Sequence, residues 1–237
     1  MNSRTRALTV CAVMIALSTA LALICAVIPF LNLPFGGGFT VASMLPIIIV
    51  SYMYGLKWGF ATSFAYSLIQ LLLGTFTGGG YVISLFTVGS DNYLGIKAGI
   101  FIVLIDYIIA YTVIGIGGIF RFAEKKLTKT GAIVLGTVLA LTLRYITHII
   151  SGAVFFGVYA EWFFSQEGFY AIGAKILEHF SGAELSVVYS VFYNGLYMIP
   201  EIIITSICAL FVSRIPLVEK IYVYNAGSKN IDKAKTK

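Results

Sequence analysis

Six long apolar runs with short polar breaks constrain this chain more than any other feature, falling at roughly 7–30, 40–55, 57–76, 97–120, 131–158 and 185–213. A helix that crosses a bilayer core needs about 20 mostly apolar residues. In lipid, backbone groups must find partners inside their own segment. The expected fold class is therefore an all-α integral membrane protein with six transmembrane helices forming a single domain over residues 1–220. The second run is short and ends at Gly55, almost against Lys57 at the start of the third, which predicts a tight helical hairpin. Composition agrees, with 59% of residues hydrophobic and 11% charged, against about 25% charged in soluble domains. That balance excludes a cytosolic enzyme, a secreted disulfide scaffold and a disordered regulator. The run from Ala7 to Phe30 is much longer than the roughly 7–15 residues of a signal core, so it is expected to be retained as a helix.

The net charge of +6 is unevenly placed. With six spans both termini lie on one side, and the loops of that side hold 13 of the 16 basic residues, from Arg4 and Arg6 to the lysines of the tail. The opposite loops hold Lys97 and Lys175, and Arg144 falls inside a span. The positive-inside rule puts both termini in the cytoplasm. The basic excess is thus a matter of topology in a plasma membrane, and nucleic acid is not an expected partner. Residues 221–237 read as a basic, disordered cytoplasmic tail. Cys11, Cys25 and Cys208 sit in apolar runs without metal-ligand spacing, and no metal or cofactor is expected. No phosphate-binding G-x-x-x-x-G-K-[ST] loop occurs, so the chain cannot drive ATP-dependent work alone. No internal repeat is visible, which disfavours an inverted-repeat secondary transporter.

Within the spans the ionisable residues are Asp106, Arg144, His148 and Glu201. A charge at mid-bilayer costs about 2.5–3.5 kcal/mol on insertion scales, so such groups face the bundle interior and have partners. One reading is a packing network of ion pairs among Arg144, Asp106 and Glu201. The other is a ligand site. Arg144, His148, Ser151, Gly152 and Phe156 follow steps of three or four residues and share one face of the fifth helix. Imidazole, a small gap and an aromatic plate along that face suit a planar heterocycle. The sixth helix adds Tyr189, Tyr193, Asn194 and Tyr197, whose polar groups need partners in lipid whether those are ligand or helix. Asp106 and Tyr107 on the fourth helix suit a cation, through charge neutralisation and cation–π attraction together. The outer loop 159–184 carries Trp162, Phe163, Phe164, Phe169 and Tyr170. It either rests at the lipid interface or covers a pocket.

Four stretches, GGGFTVASMLPI (36–47), LIDYIIAYTVIGIGGIF (104–120), LRYITHIISGAVFFGVYA (143–160) and YSVFYNGLYMIPE (189–201), give the chain a family likeness. Over about residues 5–215 it resembles the thiamine-specific S-components of energy-coupling-factor (ECF) transporters. The resemblance implies a six-helix bundle that captures vitamin B1 without hydrolysing ATP. It implies as partners a transmembrane coupling protein and two ATPase subunits that reorient the bundle. By motif, His148 stands for the family's pyrimidine-contacting histidine, and Tyr189 and Asn194 for its paired tyrosine and asparagine. Asp106 stands for the carboxylate beside the ligand, with Tyr107 next to it. Gly152 matches the small residue that admits the ring, and Phe156 takes the stacking position, which in some members is tryptophan. A second family tryptophan would fall near Gly37, where Phe39 is the nearby substitute and Trp162 a more distant one. Arg144, Tyr193 and Glu201 are secondary candidates. Ala12, Ala16 and Ala20 form a small-residue stripe that allows close helix approach; in the resembling family this is the face that docks on the coupling protein.

The expected function is thiamine uptake, with no catalytic residue. A different vitamin or precursor, such as riboflavin or hydroxymethylpyrimidine, is the alternative cargo. An intramembrane enzyme is the distant alternative, since no H-E-x-x-H, D-x-x-D or serine-nucleophile motif accompanies the two histidines, His148 and His179.

Overall fold

The computed structural model describes residues 3–31, 38–76, 80–123 and 126–216. The tail at 221–237 and the position at Gly37 lie outside the described residues. Among the described residues, six apolar helices build the bundle: α1 (Ser3–Ala26), α2 (Leu45–Tyr54), α3 (Leu56–Phe76), α4 (Ile96–Ala123), α5 (Lys129–Phe155) and α6 (Gly182–Val212). Five of them are long and apolar enough to cross a membrane. α2 is the exception, with ten residues. At 1.5 Å per residue it rises about 15 Å, half of a bilayer core. The expected run from 40 to 55 is shortened at its start, where Ala42 takes a left-handed turn at φ 58° and Pro46 sits in the first turn. Its end came where the sequence placed it, at Gly55, which adopts φ 93° and turns the chain directly into α3. Every residue of α2 from Leu45 to Met53 is buried, so this short helix is core, wrapped by its longer neighbours.

The other bounds moved for legible reasons. α1 stops at Ala26 rather than running to 30, because Pro29 cannot continue an α-helix and a short 3₁₀ turn, Pro29–Leu31, follows. α5 starts on a Thr128 cap, whose hydroxyl accepts the Gly131 N–H at 3.2 Å, and ends at Phe156. Short helices, Tyr81–Ser84, Ala160–Phe164 and Tyr170–His179, lie in the stretches between the long ones.

α4 is the least regular. It begins as an α-helix, widens into a π-helical stretch over Val103–Ile109, and tightens to 3₁₀ winding over Val113–Ala123. Wide π turns inside helices often accompany functional sites, and this one carries Asp106 and Tyr107. The tight segment is rich in glycine and lies in the packed end of the bundle. The Ser51 hydroxyl donates to the Gly115 carbonyl at 2.5 Å and accepts the Gly118 N–H at 3.0 Å. A Cβ added at Gly118 would run into the Ser51 carbonyl, and one at Gly136 of α5 into the Gly117 carbonyl. Without a hydrophobic force between helices in lipid, such backbone contact supplies the packing energy. α5 packs extensively against both α4 and α6, and Ala12, Ala16 and Ala20 of α1 remain exposed.

Candidate functional site

α4, α5 and α6 bring Asp106, His148, Ser151, Asn194 and Tyr197 into one hydrogen-bonded cluster. His148 Nδ1 lies 2.8 Å from one Asp106 oxygen, and the Ser151 hydroxyl donates to the other at 2.7 Å. With the carboxylate as acceptor, Nδ1 carries the hydrogen and Nε2 is the atom left for a further partner, an acceptor when the ring is neutral. Nε2 is buried and has no partner among the described residues. The ring therefore presents an unfilled acceptor, fixed in tautomer by the carboxylate behind it. Tyr197 packs edge-on against the ring at 5.9 Å.

The packing network expected among Arg144, Asp106 and Glu201 does not form. Among the described residues, Asp106 pairs with His148 and Ser151. Glu201 accepts from the Thr40 backbone N–H, the Thr40 hydroxyl and the Thr205 hydroxyl. Arg144 lies over the Tyr111 ring at 4.3 Å and points one nitrogen at the Met44 sulfur, 3.1 Å away. The reason is spacing: the π stretch turns Asp106 toward His148, one turn beyond Arg144.

Asn194 is already saturated. Its Nδ2 donates to the Ser190 carbonyl at 2.8 Å and to the His148 carbonyl at 3.3 Å, while its Oδ1 accepts the Tyr197 hydroxyl at 2.5 Å. The space beside Gly152 is filled by α6, since an added Cβ would meet Ser190 Oγ and come 3.1 Å from Asn194 Nδ2. Asn194 and Gly152 thus hold α5 against α6 and fix the His148 backbone. Tyr189 and Tyr193 continue an aromatic series along α6, with ring centroids 5.6 Å apart and Tyr193 6.4 Å from Tyr197. At the outer end, Phe163 packs against Tyr189 at 5.3 Å. Phe156 belongs to the same aromatic group and stacks on Tyr159 at 6.4 Å. Trp162 is half exposed, whereas Phe163 and Phe164 are fully buried. Within the stretch 159–184, Phe163 and Phe164 thus pack against α6, while most of 165–184 is exposed.

A cleft of about 260 Å³ opens beside this cluster, between α1, α3, α4 and the segment 38–40. Phe39, Thr40, Gln70, Tyr107 and Tyr111 line it. A deeper chamber of about 40 Å³ shares Thr40, Gln70 and Tyr111 and reaches Arg144 and Glu201. Of the expected site residues, Phe39 and Tyr107 line the cleft and Arg144 and Glu201 the deeper chamber, whereas Asp106, His148, Gly152, Phe156, Tyr189, Tyr193 and Asn194 line neither.

Tyr81 escaped the reading of the sequence. Its phenol stands within electrostatic range of Asp106, Tyr107, Tyr189 and Tyr193, and burial pushes its pKa well above the ordinary tyrosine value. The available signal was the aromatic residue directly after the glycine run of the outer loop, which on its own also fits a turn. Gln70 and Tyr111 were missed too, since nothing in their local pattern separates them from helix packing.

A helical membrane bundle with a buried carboxylate–imidazole pair, tyrosine walls and an adjoining cleft has the make-up of a protein that takes a small polar molecule into the membrane. The family model for thiamine transporter proteins (Thia_YuaJ) matches residues 10–94 and 79–166. The thiamine transporter ThiT of Bacillus subtilis (strain 168) is 32% identical over 210 residues, covering 84% of this chain and 88% of that protein. A solved structure of ThiT from Listeria monocytogenes shares the fold, with a TM-score of 0.60 at 19% identity over 93% of this chain and 99% of the other. The chain belongs to the thiamine transporter family. It is a multi-pass protein of a bacterial membrane, and that membership sets aside the intramembrane enzyme.

Proposed function

We propose that this chain captures thiamine and serves as the substrate-specificity subunit of an ATP-driven ECF transporter. The observation that carries the ligand assignment is the Asp106–His148 pair, 2.8 Å apart, with no guanidinium on the carboxylate among the described residues and an open acceptor at Nε2. Thiamine brings a fixed positive charge and an aminopyrimidine with N–H donors. Asp106 offsets the cost of taking the cation out of water, and His148 Nε2 accepts from the pyrimidine amine. Tyr107, Tyr189 and Tyr193 supply ring faces for the cation, and Phe156 supplies the stacking plate further out. Asn194 and Gly152 act through position, holding the imidazole where the ligand meets it.

Two features support the ATP-driven part. The sequence holds no phosphate-binding loop of its own, so on this reading ATP is hydrolysed by separate subunits. Ala12, Ala16 and Ala20 are exposed on α1, where small side chains let a partner helix come close. The coupling protein and its two ATPases are the partners this reading requires, and no cofactor takes part.

Isothermal titration of the purified chain against thiamine, hydroxymethylpyrimidine and riboflavin tests the cargo: saturable binding restricted to thiamine is expected, and binding of another vitamin alone overturns it. Uptake of labelled thiamine into cells tests the coupling. It should need the ATPase module, and uptake undiminished without that module would remove the ECF assignment.

A further inference from the structure

The turn before α2 is strained, and the structure shows what keeps it so. Ala42 is the non-glycine residue with positive φ, 58°, among the described residues. Such outliers persist only where their surroundings over-determine them, and they concentrate at functional sites. Three contacts pin this turn. Glu201 of α6 grips Thr40 through the backbone N–H and the hydroxyl, with 3.0 Å from the hydroxyl to each carboxylate oxygen. Thr40 in turn meets the Ser43 hydroxyl at 2.6 Å, and the Val41 N–H donates to Cys25 Sγ at 3.2 Å.

Glu201 is 1% exposed, and no cationic side chain lies within ion-pair distance of it among the described residues. A buried carboxylate is costly in a membrane interior. Among the described residues, the hydrogen bonds to its oxygens come from Thr40 and from Thr205. The same Thr40 lines both the cleft and the deeper chamber, and Cys25 lines the cleft.

We propose that Glu201 is a positioning residue: by holding Thr40 it keeps the strained 40–43 turn over the cleft and thereby sets how long a bound molecule stays. The role in ligand retention rests on the thiamine reading above, whereas the hold on the turn does not. Cys25 reports the turn directly, because its buried sulfur accepts the Val41 N–H.

The experiment uses the full chain in detergent, with Cys11 and Cys208 replaced by serine, and follows alkylation of Cys25 by a water-soluble maleimide. Glu201→Gln is expected to speed labelling at least fivefold and Thr40→Val, which keeps the backbone N–H bond to Glu201, at least twofold; the double variant should go no further than Glu201→Gln, since both act on one contact. Ala42→Gly relieves the strain and should slow labelling. A second readout is thiamine dissociation by stopped-flow, expected to quicken in Glu201→Gln by a similar factor. Glu201→Gln labelling at the parental rate would overturn the hold on the turn. Faster labelling with unchanged dissociation would overturn the role in retention. Should Glu201→Gln not fold, Thr40→Val supplies both readouts, and parental labelling or unchanged dissociation in it overturns the same two roles. A parent chain that binds no thiamine at all would sink the cargo reading and leave the labelling rates to decide the latch.

Discussion

At one end of the bundle Gly59, Gly115, Gly118 and Gly136 let backbones of α2, α3, α4 and α5 touch, with Ser51 bonded to both Gly115 and Gly118. Toward the other end, α4, α5 and α6 meet through side chains: Asp106, His148, Ser151, Asn194 and Tyr197. The first region has no room for an added atom at these glycines. The second keeps a buried imidazole nitrogen without a partner among the described residues, while the cleft is lined by Tyr107 rather than by the cluster itself. Backbone-to-backbone packing has essentially one arrangement, while hydrogen-bonded side chains can exchange a partner for a ligand. A carrier needs both, a rigid frame and a site whose polar groups are held in place yet incompletely used.

The contrast can be broken by mutation. Gly136→Val forces α5 off the Gly117 carbonyl and should lower stability by about 3 kcal/mol, read by thermal unfolding in detergent, while the folded fraction still binds thiamine. Asp106→Ala should act mainly on the ligand, costing about 2 kcal/mol in thiamine affinity and a smaller amount of stability as His148 Nδ1 and the Ser151 hydroxyl lose their acceptor; titration calorimetry reads it, and unaltered affinity would remove Asp106 from the site. Tyr197→Phe deprives Asn194 Oδ1 of its donor and is expected to cost about 1 kcal/mol of stability, with a smaller fall in affinity because the His148 backbone loses part of its support. Tyr81→Phe should cost the least, about 0.5 kcal/mol in affinity. Because burial raises the Tyr81 pKa, its phenol stays neutral as pH rises through mildly alkaline values, so this residue predicts a flat binding profile there, and an affinity loss that Tyr81→Phe abolishes would contradict its burial.

Most of the frame was legible in the sequence because long apolar runs have few folds open to them in lipid. The length of α2 was not, since the strained Ala42 turn depends on Glu201, 159 positions away in the chain. Asp106, His148 and the α6 tyrosines were readable as groups that must find partners, because ionisable and phenolic side chains in an apolar run demand them. Their partners were not readable. Periodicity put Arg144 and His148 on one face but could not foresee the π stretch that carries Asp106 to His148. Gly152 shows the same limit: a gap inferred from one helix is occupied by Ser190 of the next.

Thiamine capture of the kind proposed depends on a buried negative charge kept for a positively charged guest. Calorimetry of thiamine beside its neutral deaza analogue, which keeps both rings and loses the thiazolium charge, tests this most directly in the parent chain and in Asp106→Asn. The parent should favour thiamine at least tenfold and Asp106→Asn should show no preference. Equal affinity for the two compounds in the parent, or a preference that survives the loss of the carboxylate, would contradict it.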